Sequence, residues 1–68
     1  MKKVGIICDN YKSERLESEF RKEGIKYSMQ QESSTLTKFT VECAIKDIAK
    51  LAQTCRRAFA YFANANLN

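Results

Sequence analysis

Lys2-Lys3-Val4-Gly5-Ile6-Ile7-Cys8-Asp9-Asn10 decides how the rest of the chain must be read. Its centre, Val4-Gly5-Ile6-Ile7-Cys8, is a short run rich in β-branched residues. It ends at two residues that favour turns and helix caps, and it reads as a first strand. Apolar residues fall on both of its alternating faces, so the strand should be well covered. Asp9 or Asn10 can cap the helix that follows, with Ser13 as a later candidate. That helix spans residues 11–23. Leu16 and Phe20, four apart, mark its narrow buried stripe. Lys12, Glu14, Arg15, Glu17, Glu19, Arg21, Lys22 and Glu23 form an exposed surface of both signs. Gly24 fits the left-handed position just past the helix end.

Ile25-Lys26-Tyr27-Ser28-Met29-Gln30-Gln31 alternates with period two and reads as a second strand. Glu32-Ser33-Ser34 is a polar turn. Residues 35–43 form a third strand, with Phe39, Val41 and Cys43 on one face and Lys38, Thr40 and Glu42 on the other. The short connection makes these two strands a hairpin. Ile45, Ile48, Ala52, Cys55, Phe59 and Phe62 then recur at spacings of three and four, flanked by Leu51. They predict a long amphipathic helix over residues 45–63. Residues 63–68 read as a polar tail that frays at the end of a single domain, 1–68.

The element order β-α-β-β-α specifies an α+β domain. A right-handed crossover joins the first two strands, and the third slots antiparallel between them. The result is a three-stranded sheet of order 1-3-2 with two helices on one face. In element order it resembles a truncated ferredoxin-like fold, and the ACT-type ligand modules that use that fold, with the sixth element missing. The resemblance carries no residue over. The covered face should hold Val4, Ile6, Cys8, Tyr27, Met29, Phe39 and Val41. Ile7, Lys26, Ser28, Gln30, Leu36, Lys38 and Thr40 should occupy the other. Without a fourth strand, the first lies at an edge and carries no charge within its central run. Such an edge invites pairing. A homodimer formed by this strand with its twofold mate is the expectation, against cover by the C-terminal tail.

Bulk properties narrow the function. A chain of 68 residues buries only about 60% of the surface it exposes when unfolded, so a partner subunit would add needed stability. The longest uncharged apolar run is too short for a membrane span or a signal-peptide core, which makes cytoplasmic residence the expectation. Three cysteines, Cys8, Cys43 and Cys55, are an odd and widely spaced set. They read as free thiols rather than a disulfide framework, with a reactive Cys8 as the minor alternative. Histidine is absent and no C-x-x-C pair occurs, so the sequence signals neither a metal site nor any cofactor. The usual base for a Ser or Cys nucleophile is missing too, and no enzymatic activity is expected.

Three binding readings remain. In the first, an oligomeric module holds a small anionic ligand that carries phosphate or carboxylate, a sequestered nucleotide being one form of it. The site would lie at the N-terminus of the first helix, built from Asp9, Asn10, Tyr11, Lys12 and Ser13 with Ser33 and Ser34 of the hairpin turn. Simple helix capping explains the same residues. In the second, an inhibitor or adaptor docks a protein through the first strand's edge or through the basic face of the second helix, Lys46, Lys50, Arg57 and Tyr61. In the third, that basic face binds nucleic acid weakly, although a net charge of +4 and an ordinary solvated helix account for it as well.

Overall fold

The computed structural model describes residues 1–65. The elements are β1 (Lys2–Asp9), α1 (Asn10–Lys22), β2 (Tyr27–Gln31), β3 (Leu36–Cys43), a single 3₁₀ turn (Ile45–Asp47) and α2 (Ile48–Ala65). The three strands form one antiparallel sheet of order β1-β3-β2, the small ferredoxin-like arrangement expected from element order. Of the tail expected over 63–68, residues 63–65 continue α2 and the last three lie outside the described residues.

Registry explains the strand boundaries. β1 is longer than its apolar run because Lys2 and Lys3 pair with Cys43 and Glu42 of β3. β2 starts two residues later than its alternation suggests, because Ile25 is recruited to end α1. The Ile25 N–H donates to the Phe20 carbonyl (2.9 Å) and the Gly24 N–H to that of Arg21 (3.2 Å). Gly24 itself sits at φ +69°. These are the two bonds of a Schellman terminus, and they satisfy carbonyls that would otherwise lack donors.

Two bonds outside the strands fix which backbone groups of β1 face outward. The Asn10 N–H donates to Thr35 O (2.9 Å), one step beyond the Asp9–Leu36 pair. The Glu32 N–H donates to Leu36 O (2.9 Å), one step beyond the Gln31–Thr37 pair. Bonded and non-bonded pairs alternate along an antiparallel ladder. The odd residues of β3 therefore bond to the even residues of β1, and its even residues to β2. The N–H and C=O groups of Lys3, Gly5 and Ile7 consequently point away from the sheet.

The core lies between one sheet face and both helices. It is formed by Cys8, Leu16, Phe20, Phe39, Val41, Leu51 and Ala58, with Val4, Ile6, Ile25, Tyr27, Cys43, Cys55 and Phe59 packed around it. Phe20, Tyr27 and Phe39 meet pairwise with centroids 5.5–5.7 Å apart, and such aromatic contacts add to the area they bury. The expected division of the sheet into two faces holds, although Met29 on the covered face is left exposed at the β2 margin.

Two helical faces differ from expectation. Glu19 is buried between the helices rather than solvated, at 2% exposure, with its carboxylate 3.5 Å from both Arg15 and Lys22. Pairing from its own helix makes that burial tolerable. On α2 the buried line is Leu51, Thr54 and Ala58, not a stripe through Ile45, Ile48 and Ala52. Ile45 is 70% and Ile48 37% exposed. Ala58 and Thr54 are small enough to let α2 settle close, and the Thr54 hydroxyl donates to its own helix at Lys50 O (2.9 Å).

The odd–even ladder makes a pair of substitutions diagnostic. Ile7→Pro removes only an outward N–H, so the domain should remain folded. Ile6→Pro deletes a ladder bond and buried packing, and should cost about 3 kcal/mol or more, enough to unfold a domain this small. Urea denaturation followed by circular dichroism reads the difference, and equal effects would refute the assignment of outward groups.

Candidate functional site

The expected grouping of loops at one pole is present, but its polar atoms are turned on one another. Asn10, the first residue of α1, acts as a hub between that helix and the hairpin turn. Its side-chain amide donates to Ser34 O (3.0 Å), while its Oδ1 accepts from the Thr37 hydroxyl (2.7 Å) and the Gln31 amide (3.2 Å). Its carbonyl accepts from the Ser13 hydroxyl (2.8 Å). Ser33 Oγ accepts from the Thr35 N–H (3.3 Å), and Ser33 O accepts from Gln31. Asp9 stands at the N-cap position without a side-chain cap bond, and its carboxylate faces Lys12 at 3.7 Å. Of the seven residues singled out here by sequence, Asn10, Ser13, Ser33 and Ser34 thus have structural partners.

Tyr11 and Lys12 behave differently. Tyr11 is exposed and meets Phe62 edge-on, centroids 5.6 Å apart. The Lys12 ammonium lies 5.6 Å from the Tyr11 ring and 5.9 Å from those of Phe59 and Phe62, within the range of cation–π attraction. Beneath it is a shallow cleft of about 230 Å³ lined by Ile7, Cys8, Asp9, Lys12, Leu36 and Phe59.

The basic face of α2 remains about half exposed, and two of its residues reach the helix–helix seam. Lys50 and Arg57 both approach Glu23, the C-cap residue of α1, at 3.9 and 3.7 Å. The Arg15 guanidinium lies 4.5 Å over the Tyr61 ring. Lys46 sits apart in the 3₁₀ turn. The four residues do not make one free cationic surface.

Ile48 and Ala52, which sequence reading assigned to the core, are instead at the surface, whereas Phe59 packs against the core as expected. Lys50, Arg57 and Tyr61 turn one flank of α2 toward α1. Ile48, Ala52 and Phe59, spaced four and seven apart, fall on the opposite flank at 100° per residue. Phe59 closes the cleft with Ile7 and Cys8, so this flank leans over β1. Ile48 and Ala52 are exposed there. At Phe59 this apolar flank meets the edge strand β1, and Ile48 and Ala52 continue it along the helix. A second hollow, about 280 Å³, lies at the opposite pole between the end of α1 and the start of α2. Its walls mix Glu23, Glu42 and Asp47 with Lys26 and Lys50. Four separated segments build it, and no sequence motif marks it.

Among the described residues, no group of three or more Cys, Asp or Glu side chains could hold a metal ion, and no helix is long and apolar enough to cross a membrane. All three cysteines are free. Burial pushes the Cys8 thiol above its usual 9.0, Asp9 adding to the shift and Lys12 opposing it. Burial also raises Cys55, with Cys8 contributing. Tyr27 is raised chiefly because its hydroxyl donates to Glu17 (2.6 Å). Cys8 thus stays protonated and shielded at neutral pH, the setting of an inert thiol.

Three outcomes are expected. Asn10→Ala should cost about 2 kcal/mol by stranding the Thr37 hydroxyl, and Asn10→Asp about half of that, since the acceptor survives; urea midpoints test both. Iodoacetamide at neutral pH should label Cys8 only as fast as the domain opens, read by peptide mass spectrometry. The raised groups also carry a pH signature. The unfolded chain loses their protons at the usual 9.0 for thiols and 10.0 for tyrosine, while the folded chain holds them longer. Their stabilisation is fully present below about pH 9 and is lost above it, so urea midpoints should fall there.

Comparison with protein-family models, with curated proteins and with solved structures returns no match for this chain.

Proposed function

We propose that this protein is a non-enzymatic association module of a reducing compartment such as the cytoplasm, and that it binds an extended protein segment along β1. One observation carries the reading. Lys3, Gly5 and Ile7 present backbone donors and acceptors that have no partner strand among the described residues, on the side of the sheet where the α2 flank carrying Ile48, Ala52 and Phe59 meets β1 at Phe59. An added strand would satisfy those groups and bury alternate side chains under α2. Ile7, 55% exposed on the uncovered sheet face, gives the same strand a second apolar contact. Three free thiols fit a reducing setting. Hydrogen exchange followed by NMR tests the reading, using the protein at rising concentration and with synthetic alternating apolar–polar peptides. The Lys3, Gly5 and Ile7 amides should become protected together. Free exchange under every condition would dismiss it.

A second reading is supported by the Lys12 ammonium among three aromatic rings at the mouth of the cleft. A small ligand with an anionic group could meet Lys12 while a flat moiety stacks on Tyr11. Nucleotides should then raise the melting temperature of the wild type and not of Lys12→Ala, since saturation at a hundred times Kd contributes about 2.7 kcal/mol. No shift with any nucleotide or small acid would remove it.

A further inference from the structure

The segment that docks on β1 can be identified by asking what the edge itself would select. We infer that it is β1 of a second copy, paired antiparallel about a twofold axis through Ile6. This inference rests on the docking reading above and supplies its partner.

Parity restricts the possible registers. The outward groups belong to odd residues, so odd must face odd for hydrogen bonds to form across the new interface. Residues that face each other also share a side of the sheet, so this parity keeps Val4, Ile6 and Cys8 of both copies on the helix side. Any register that sets odd against even breaks the bonding and turns one copy's core face to solvent.

Charge chooses between the registers that remain. Centred on Ile6, Lys3 stands opposite Asp9 of the second copy, and the symmetry produces this pair twice. Gly5 then faces Ile7, Val4 faces Cys8, and the two Ile6 side chains meet at a close, non-bonded position. Centred on Gly5, Lys3 instead faces Ile7 and Lys2 faces Cys8, and no side chains of opposite charge meet within the paired strands. Asp9 has room for the interaction, since its side chain is 47% exposed and its present partner Lys12 lies 3.7 Å away.

The two clefts set the level of α2 along β1. Leu51 shares a hollow with Val41, the partner of Val4, and Phe59 shares a cleft with Cys8. The level of Ile6 therefore falls midway between them, near Cys55. The association would join two three-stranded sheets into one.

Sedimentation equilibrium from micromolar to millimolar concentration tests the inference, with circular dichroism confirming the fold of each variant. The wild type should form dimers. Lys3→Glu and Asp9→Lys each turn two attractive pairs into two repulsive ones, and each should weaken self-association by about tenfold. Mixed in equal amounts, they should recover heterodimers, because every pair across the interface is then attractive. Should Asp9→Lys fail to fold, Asp9→Asn in its place should still bind Lys3→Glu more tightly than Lys3→Glu binds itself. A wild type monomeric throughout, variants that dimerise as the wild type does, or a mixture without recovery would each overturn the Ile6-centred pairing. Protection of the Lys3, Gly5 and Ile7 amides by a peptide in a monomeric protein would overturn only the choice of partner, whereas their free exchange under every condition would remove the docking reading as well.

Discussion

β3 is the strand that pairs on both sides, and the rest of the molecule is arranged by that fact. Its odd residues engage β1 and its even residues engage β2. The side chains of Thr37, Phe39 and Val41, all buried, then face the helices. Once β3 is central, β1 and β2 are both edges and only one sheet face can be covered by α1 and α2. Among the described residues no further strand pairs with either edge. The open edge is therefore a consequence of topology, not an irregularity of one segment.

Apolar packing alone does not fix how α1 meets the hairpin. Leu16 and Phe20 hold the middle of the helix to the sheet, and its C-terminus is set by Gly24 and Ile25. The N-terminus is positioned by polar bonds through Asn10, which reads the hairpin turn at Ser34 and the sheet at Thr37. Charges lock the other side of the helix. Arg15 bridges Glu19 and the Tyr61 ring, and Glu23 receives Lys50 and Arg57 from α2. Most of these pairs are partly exposed and individually weak. Their joint effect is to hold the flank of α2 that carries Lys50, Arg57 and Tyr61 toward α1.

Local rules made much of the fold legible. A β-branched apolar run located β1, alternation located β2 and β3, the Leu16–Phe20 spacing located α1, and Gly24 marked its end. Element order then gave the sheet order through the handedness of the crossover. What escaped was the rotation of α2. Ile45, Ile48 and Ala52 continue the apolar period of Cys55 and Phe59, and periodicity cannot say which part of a wide apolar arc meets the core. The buried centre is occupied by Thr54 and Ala58, residues that hydrophobicity ranks below isoleucine but whose size lets two helices approach. Glu19 was misread for a related reason, since a carboxylate with cations three and four residues away looks solvated until a second helix covers it. At the α1 pole the residue types were readable as capping or binding groups. The Asn10 bonds to Ser34, Gln31 and Thr37 span more than twenty residues of sequence, so no local pattern could disclose them.

The two edges of the sheet show that exposure of β1 differs in kind from exposure of β2. β2 spans Tyr27–Gln31, and most of it is polar: Ser28, Gln30 and Gln31, with Lys26 just before it. A short polar edge is the ordinary means of discouraging strand addition. β1 spans Lys2–Asp9 and none of those means is applied within its central run, whose charges stand only at the two ends and are opposite in sign. Opposite charges at the ends of one strand attract an antiparallel copy and disfavour a parallel one, in which each charge would meet its like. The polar β2 edge thus works against strand addition, while the β1 edge carries the apolar run and the opposite end charges on which the proposed pairing rests. A chain with a small core gains most from completing its sheet on that side.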